Sequence, residues 1–252
     1  MKTSILLPLL SASSAAWASA LPAQPVASRQ LKTLCEQYAY WSGNGYEVLN
    51  NLWGKDAATG GSQCTYVDGT ANNGVQLHTT WTWQGGPNNV KSYIYIGKQV
   101  TKGRKISQIS SMQTTTNWSY NTNNVRANVA YDVFTAADPN HVNSSGDYEL
   151  MIWLARLGDI YPIGSSTGTV TVAGRTWDLW VGMNGSMKVY SFIATSTVNS
   201  FSADVKQFFN YLQSNQGYPA SSQNLIVFQV GTETFTGGPA TMTISQFSAN
   251  IN

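Results

Sequence analysis

An alternation of apolar and polar residues with a period of two recurs through most of this chain. Because successive side chains of a strand point to opposite faces, that pattern is the signature of half-buried β-strands. It predicts strands over 36–40, 46–53, 63–67, 74–83, 91–96, 106–115, 117–120, 125–135, 147–157, 168–172, 175–182, 188–194, 225–234 and 241–251. Turn chemistry separates them, as in Gly43-Asn44-Gly45, Gly85-Gly86-Pro87, Asn184-Gly185 and Gly237-Gly238-Pro239. So many strands exceed what one open sheet holds, and two packed, curved antiparallel sheets are the economical solution. The expectation is an all-β jelly-roll sandwich with a concave cleft. One segment departs from the rhythm. Val205, Phe208, Phe209 and Leu212 fall at helical spacing, with Ser202 placed to cap the start and Gly217 to end it. This predicts one α-helix, on the convex side of a sheet.

The chain has 252 residues and shows no repeat or linker after residue 30, which argues for one domain over 35–252. Residues 1–20 read as a secretory signal: Lys2, an apolar run from Ile5 to Leu10, and small residues ending at Ala20. Residues 21–34 read as a short N-terminal segment, a possible propeptide. The protein is expected to be secreted and extracellular, without a membrane span. Secretion makes a disulfide between Cys35 and Cys64 the default, against two free buried thiols. With two cysteines and two histidines, neither a thiol nucleophile nor a metal site is expected. The sequons at Asn117, Asn143 and Asn184 permit N-glycosylation.

Charged residues are 10% of the chain and the net charge is +2, too little positive charge to engage a phosphate backbone, so no nucleic acid partner is expected. In place of charge stand amides, hydroxyls and aromatics, 9 Trp and 13 Tyr among them. Neutral hydrogen-bonding groups with flat rings suit a polyhydroxylated ligand, and equally a plain secreted β protein. No glycine-rich loop opens a helix and no Gly-x-Ser-x-Gly elbow occurs, so neither a cofactor nor a serine nucleophile is expected. His78 and His141 read as structural.

The twelve acidic residues can be sorted by context. Most sit in turns or at the N-terminal edge, leaving Asp132, Glu149, Asp178 and Glu233 inside strongly β sequence. Asp178, between Trp177 and Leu179, reads equally well as a hydrogen-bonded structural acid. Along 148–155, Tyr148, Leu150, Ile152 and Leu154 form one row, and Glu149, Met151, Trp153 and Ala155 the other. A carboxyl sharing a face with a thioether and an indole is desolvated, which raises its pKa. Glu233 shares a face with Gln229, Gly231 and Phe235, and Gly231 offers space that a ligand could fill. Asp132 shares one with Asn128 and Ala130. Two such carboxyls at opposed positions are the apparatus of glycoside hydrolysis. A non-catalytic glucan-binding jelly roll is the rival, and binding alone gives no reason for the pair.

Asn50-Asn-Leu-Trp-Gly54, Asn89-Val-Lys-Ser-Tyr93, Ala127-Asn-Val-Ala-Tyr-Asp-Val-Phe-Thr135, Gly146-Asp-Tyr-Glu-Leu-Met-Ile-Trp-Leu154, Phe208-Phe-Asn-Tyr-Leu212 and Gly231-Thr-Glu-Thr-Phe-Thr-Gly237 resemble glycoside hydrolase family twelve. The order and spacing match over roughly 35–252. The resemblance implies a jelly roll with a long cleft and a retaining endo-β-1,4-glucanase acting by double displacement. It implies Glu149 as nucleophile, Glu233 as acid/base, and Asp132 as the aspartate that hydrogen-bonds the nucleophile. It places Tyr38, Asn51, Trp53, Asn128, Met151, Trp153 and Phe235 along the substrate cleft, and it implies the Cys35–Cys64 disulfide. Tyr38 stands where cellulase-type members often carry Trp, and Thr234 where Pro is common. Stretches 53–60, 103–107 and 218–226 look more like the fungal xyloglucan-specific branch. The expected partner is therefore a β-1,4-glucan, xyloglucan favoured over unbranched or mixed-linkage glucan, acted on by a monomer.

Overall fold

In a computed structural model of the protein, residues 30–71 and 74–252 are described. The signal and most of the segment at 21–34 lie outside them. The strands form the expected sandwich. The inner sheet runs in the order β2 (Ala39–Gly43), β3 (Tyr46–Asn50), β6 (Ser92–Lys98), the first half of β15 (Gln229–Ile251), β8 (Val125–Ala136), β9 (Tyr148–Leu157), β12 (Met187–Ala194), β11 (Arg175–Asn184) and β10 (Ser165–Val172). The outer sheet holds β1 (Lys32–Leu34), β4 (Gly60–Ala71), β5 (Gly74–Gln84), the second half of β15, β7 (Met112–Tyr120) and β13 (Ser200–Asp204). A short β14 (Asn224–Leu225) pairs with β8. The alternating apolar rows of both sheets meet in one large core, among them Leu150, Ile152 and Leu154 of β9 and Val129, Tyr131 and Val133 of β8. Cys35 and Cys64 are joined as a disulfide.

From Gln229 onward, the segments expected at 225–234 and 241–251 are parts of one strand, whereas Leu225 belongs to β14. Gln229 to Thr234 pairs with β6 in the inner sheet, whereas Met242 to Ile251 pairs with β7 in the outer one. Gly237 (φ +123°) and Gly238 (φ +98°) adopt backbone conformations that side chains disfavour, and there the strand passes between sheets. Other boundaries moved for local reasons. Residues 106–115 begin as a 3-10 turn at Ile106–Gln108, after which β7 runs unbroken through 117–120. The chain at 36–38 is a turn, with Tyr38 in the left-handed region at φ +63°.

The helix α1 (Lys206–Gln216) buries Phe208, Phe209 and Leu212. Phe208 meets the rings of Trp177 and Phe192 edge-on at 5.3 and 5.0 Å, which puts the helix on the convex side of β11 and β12 as expected. Burying such a phenylalanine contributes about 2–3 kcal/mol. Ser202 does not cap it, because 200–204 are drawn into β13. Asp204 takes that part, accepting the Lys206 amide at 3.0 Å, and Gly217 closes the helix at φ +66°.

One pair of strands departs from the antiparallel expectation: β12 runs parallel to β9. A parallel neighbour requires the chain to return across the sheet before entering it. Residues 158–164 make that return over the concave face. Ile160 packs there with Met151, Trp153 and Ile193, and Gly164 lies against β11 so tightly that a Cβ would stand 2.0 Å from the Val181 carbonyl.

Candidate active site

The concave face of the inner sheet carries a second apolar layer, including Ala130, Phe134, Met151, Trp153, Met187 and Phe235. Asp132, Glu149 and Glu233 emerge from it into a cleft of about 660 Å³. The register explains their meeting. Asp132 of β8 stands beside Met151 on one flank and Gln229 on the other, and Glu149 beside Phe134. Asp132 is 7% exposed and Glu149 8%, so both carboxyls pay heavily in lost hydration.

Burial, then the charges of Glu149 and Glu233, push Asp132 well above the usual carboxylate range. Glu149 is raised by burial and by the charge of Glu233, while a hydrogen bond from Asp132 lowers it. The proton of that pair therefore rests on Asp132, and Glu149 is the better anion. Glu233's charge acts on Glu149 only once Glu233 has ionised. Glu233 itself is pushed up to about 7 by burial, against a lowering hydrogen bond from Asn128. The three carboxyls titrate as a set. With Glu233 ionised its charge helps hold Glu149 up to about 8, above Glu233 itself, whereas attack with general-acid assistance needs the opposite state, Glu149 ionised and Glu233 protonated. Asp132 Oδ1 is buried without a hydrogen-bond partner among the described residues.

Asn128 is fully buried. Its amide donates to Glu233 Oε2 at 2.5 Å, and its carbonyl oxygen accepts the Glu233 backbone N–H at 2.8 Å. It holds the acid rather than lining the cleft. Tyr38, Asn51 and Trp53 do line the cleft, with Tyr38 and Trp53 53% and 54% exposed, so their rings are open to the cleft's contents. Met151 and Phe235 lie in the layer beneath. Trp153 belongs there too and is corrected: at 1% exposure its indole is covered by the returning chain, and its Nε1 donates to Met151 Sδ at 3.4 Å. Ala155 also leaves the row of Glu149. A bulge between β8 and β9 shifts the register, and Ala155 joins the main core. Gly231 does not make room for ligand: a Cβ there would lie 1.9 Å from the Ile94 carbonyl, so the glycine permits close approach of β6.

Several cleft residues carried no signal in the sequence. Tyr93 and Tyr95 line it beside Gln229. Strand β6 is buried on both faces from Ser92 to Gly97, which erases the alternation that would have marked its cleft side. The Tyr93 hydroxyl donates to the Ala130 carbonyl at 3.2 Å, and burial among the three acids keeps it protonated. Asn143 and Asn184 both border the cleft, so a glycan on either would stand at its rim. Asn117 is already engaged, donating to Gln246 at 2.9 Å and accepting from Ser200 at 2.7 Å. His78 is structural as expected, its Nδ1 2.8 Å from the Asp68 carboxylate and its ring stacked on Tyr66. Asp178 accepts from Ser166 and Trp180. No cluster of metal-ligating side chains exists among the described residues.

Comparison with known proteins agrees with this geometry. The model of Glycosyl hydrolase family 12 matches residues 44–252. Endoglucanase A of Aspergillus kawachii is 51% identical over 88% of this chain and 93% of its own length. A xyloglucan-specific endo-beta-1,4-glucanase A of Emericella nidulans is 49% identical over 86% of this chain and 90% of its own. Among solved structures, the catalytic domain of Humicola grisea Cel12A, in complex with a soaked thio cellotetraose, superposes with a TM-score of 0.88. It is 63% identical and covers 88% of this chain and 100% of that one. Trichoderma harzianum Endoglucanase 3 gives 0.85 at 55% identity, covering 88% and 97%. With matches of this extent, carried by the strands that hold the three acids, the chain belongs to glycosyl hydrolase family 12.

Proposed function

We propose that this family 12 endoglucanase is a secreted, retaining enzyme that cleaves internal β-1,4-glucosidic bonds of xyloglucan. The observation that carries the mechanism is the meeting of three carboxyls, Asp132, Glu149 and Glu233, in one cleft. Glu149, anionic beside the proton of Asp132, attacks the anomeric carbon while Glu233 protonates the departing oxygen. A covalent glycosyl-enzyme results, and Glu233, now a base, draws a proton from the water that releases it. Asp132 orients Glu149 and carries the proton that keeps its charge available. Trp53 and Tyr38 present rings on which glucosyl units stack, on the non-reducing side. The Cys35–Cys64 disulfide supports secretion.

Xyloglucan preference is supported by the names of relatives at 49% and 43% identity. A second reading, unbranched glucan, is supported by the thio cellotetraose in the 63% identical structure. Initial rates on xyloglucan, carboxymethylcellulose and mixed-linkage glucan decide between them, and equal rates would remove the preference. Proton NMR of the first product tests retention: the β-anomer must appear before mutarotation, and an initial α-anomer would overturn the nucleophile role of Glu149.

A further inference from the structure

Lys91 is a buried charge that the mechanism leaves unused. It stands just ahead of β6 at 0% exposure. The ion pairs among the described residues are Lys55–Asp56 and His78–Asp68, so no carboxylate pairs with it. An ammonium without a counter-ion is costly to bury, and burial lowers its pKa from the ordinary value. Three main-chain carbonyls offset that cost. Lys91 Nζ donates to Gly86 at 2.6 Å, to Asn89 at 2.8 Å and to Phe235 at 3.0 Å. Three acceptors converging on one atom is a set that an ammonium satisfies and no neutral side chain does.

The place of those carbonyls gives the charge a use. Pairing of β15 with β6 ends at Thr234, and its pairing with β8 shifts register between Thr234 and Thr236. At Phe235, two residues beyond Glu233, the strand has therefore lost its regular ladder on both sides. Asn128 fixes the Glu233 amide at 2.8 Å. Beyond Glu233 the hold passes to Lys91, whose amide donates to the Thr234 carbonyl at 2.8 Å and whose ammonium takes that of Phe235. Phe235 belongs to the apolar layer from which Glu233 emerges. The loop that supplies the other two carbonyls is itself braced. Asn88 Oδ1 accepts from Arg126 at 3.2 Å, and Gly86 (φ +52°) lies where a Cβ would stand 2.4 Å from the Ala57 carbonyl. The ammonium thus ties an unsupported point of the acid/base strand to a fixed loop.

We propose that Lys91 is a positioning residue for the acid/base: by holding the Phe235 carbonyl where the ladder fails, it keeps the Glu233 carboxyl within reach of the departing oxygen. The proposal rests on the reading of Glu233 as acid/base, and its test separates the two. The measurement is kcat/KM on two aryl β-cellotriosides. Dinitrophenolate departs without a proton, whereas phenol departs with one from the acid. Lys91→Met keeps the apolar stem and removes the three donors. Its kcat/KM should fall about thirtyfold on the phenyl glycoside and stay within about threefold of wild type on the dinitrophenyl one. Lys91→Gln, with two donors, should recover part of the loss. Gly86→Ala leaves the ammonium intact and displaces one of its acceptors. It should show the same selectivity at smaller size, which keeps the test decisive where Lys91→Met does not fold. Equal losses on the two glycosides, or unchanged rates beside a lowered Tm, would make Lys91 merely structural and overturn the proposal. Glu233→Gln is the control and should discriminate between the leaving groups more strongly than any of these. If it lost both glycosides alike, the acid/base reading would fall and the proposal with it. If it discriminated while Lys91→Met and Gly86→Ala did not, the proposal alone would fall.

Discussion

Glu233 and Thr234 are consecutive in one strand and face opposite sides of the inner sheet, each into a buried polar cluster. The interior cluster is complete. Gln63 Oε1 accepts from Trp83 Nε1 at 3.1 Å and from the Ser92 hydroxyl at 2.6 Å, and its amide donates to Thr79 at 3.1 Å. Ser92 and Thr234 share a bond of 2.6 Å, and Thr65 donates to Asn50 at 2.9 Å. Every group is neutral and paired, and the network ties β3, β4, β5, β6 and β15 together across the sandwich. On the cleft side three carboxyls share too few donors, and one oxygen of Asp132 has no partner among the described residues. Neutral and satisfied groups give stability, whereas acids left in need of a proton or a substrate give reactivity at the expense of stability.

The sharpest way to break this comparison is to exchange the consequences. Glu149→Ala should lose at least about four orders of magnitude in kcat, some 5 kcal/mol of barrier, while its Tm at neutral pH stays equal or rises. A fall in Tm would show the cleft acids to be structural. Gln63→Ala should do the reverse. It strands Trp83 Nε1 and takes one partner each from Ser92 and Thr79, and denaturant titration should find about 2–4 kcal/mol lost, with kcat of the folded protein close to wild type.

A third effect follows from linkage. Glu233 is raised from the ordinary 4.5 to about 7, so the folded state binds more protons than the unfolded one between those values. The cost of ionising it is absent below about 4.5, grows as pH rises, and is complete above about 7. Melting temperatures should fall across that window by the equivalent of about 1–3 kcal/mol, discounted for partial exposure, and Glu233→Gln should flatten the slope. Activity should disappear in the same upper range as the acid loses its proton. The smallest effect concerns Asn128. Its hydrogen bond lowers Glu233, so Asn128→Ala should move the alkaline limb of the rate profile to higher pH. A limb that stays in place would show that Asn128 fixes position without tuning the acid.

Residue pattern alone carried the sandwich, the single helix and the shortlist of acids. Each rests on a local rule: period two, period 3.6, and the oddity of a carboxylate among apolar neighbours. The rows of β8 and β9 settled into the faces that alternation assigns, up to the bulge. Where local rules do not reach, tertiary structure decided. Both faces of β6 are buried, so no alternation marks Tyr93 and Tyr95 as cleft residues. Trp153 has the parity of Glu149 yet is roofed by a segment that returns across the sheet only because β12 enters parallel to β9. Gly231 is a glycine for the sake of the neighbouring strand, which no reading of its own strand could tell. Asn128 and Glu233 lie 105 residues apart, and their pairing is a matter of register between two strands. The sequence by itself determined which residues could be reactive, since reactivity begins with side-chain type and burial. Only the tertiary structure decided which of them share a proton, because that depends on strand register and on the distances it sets.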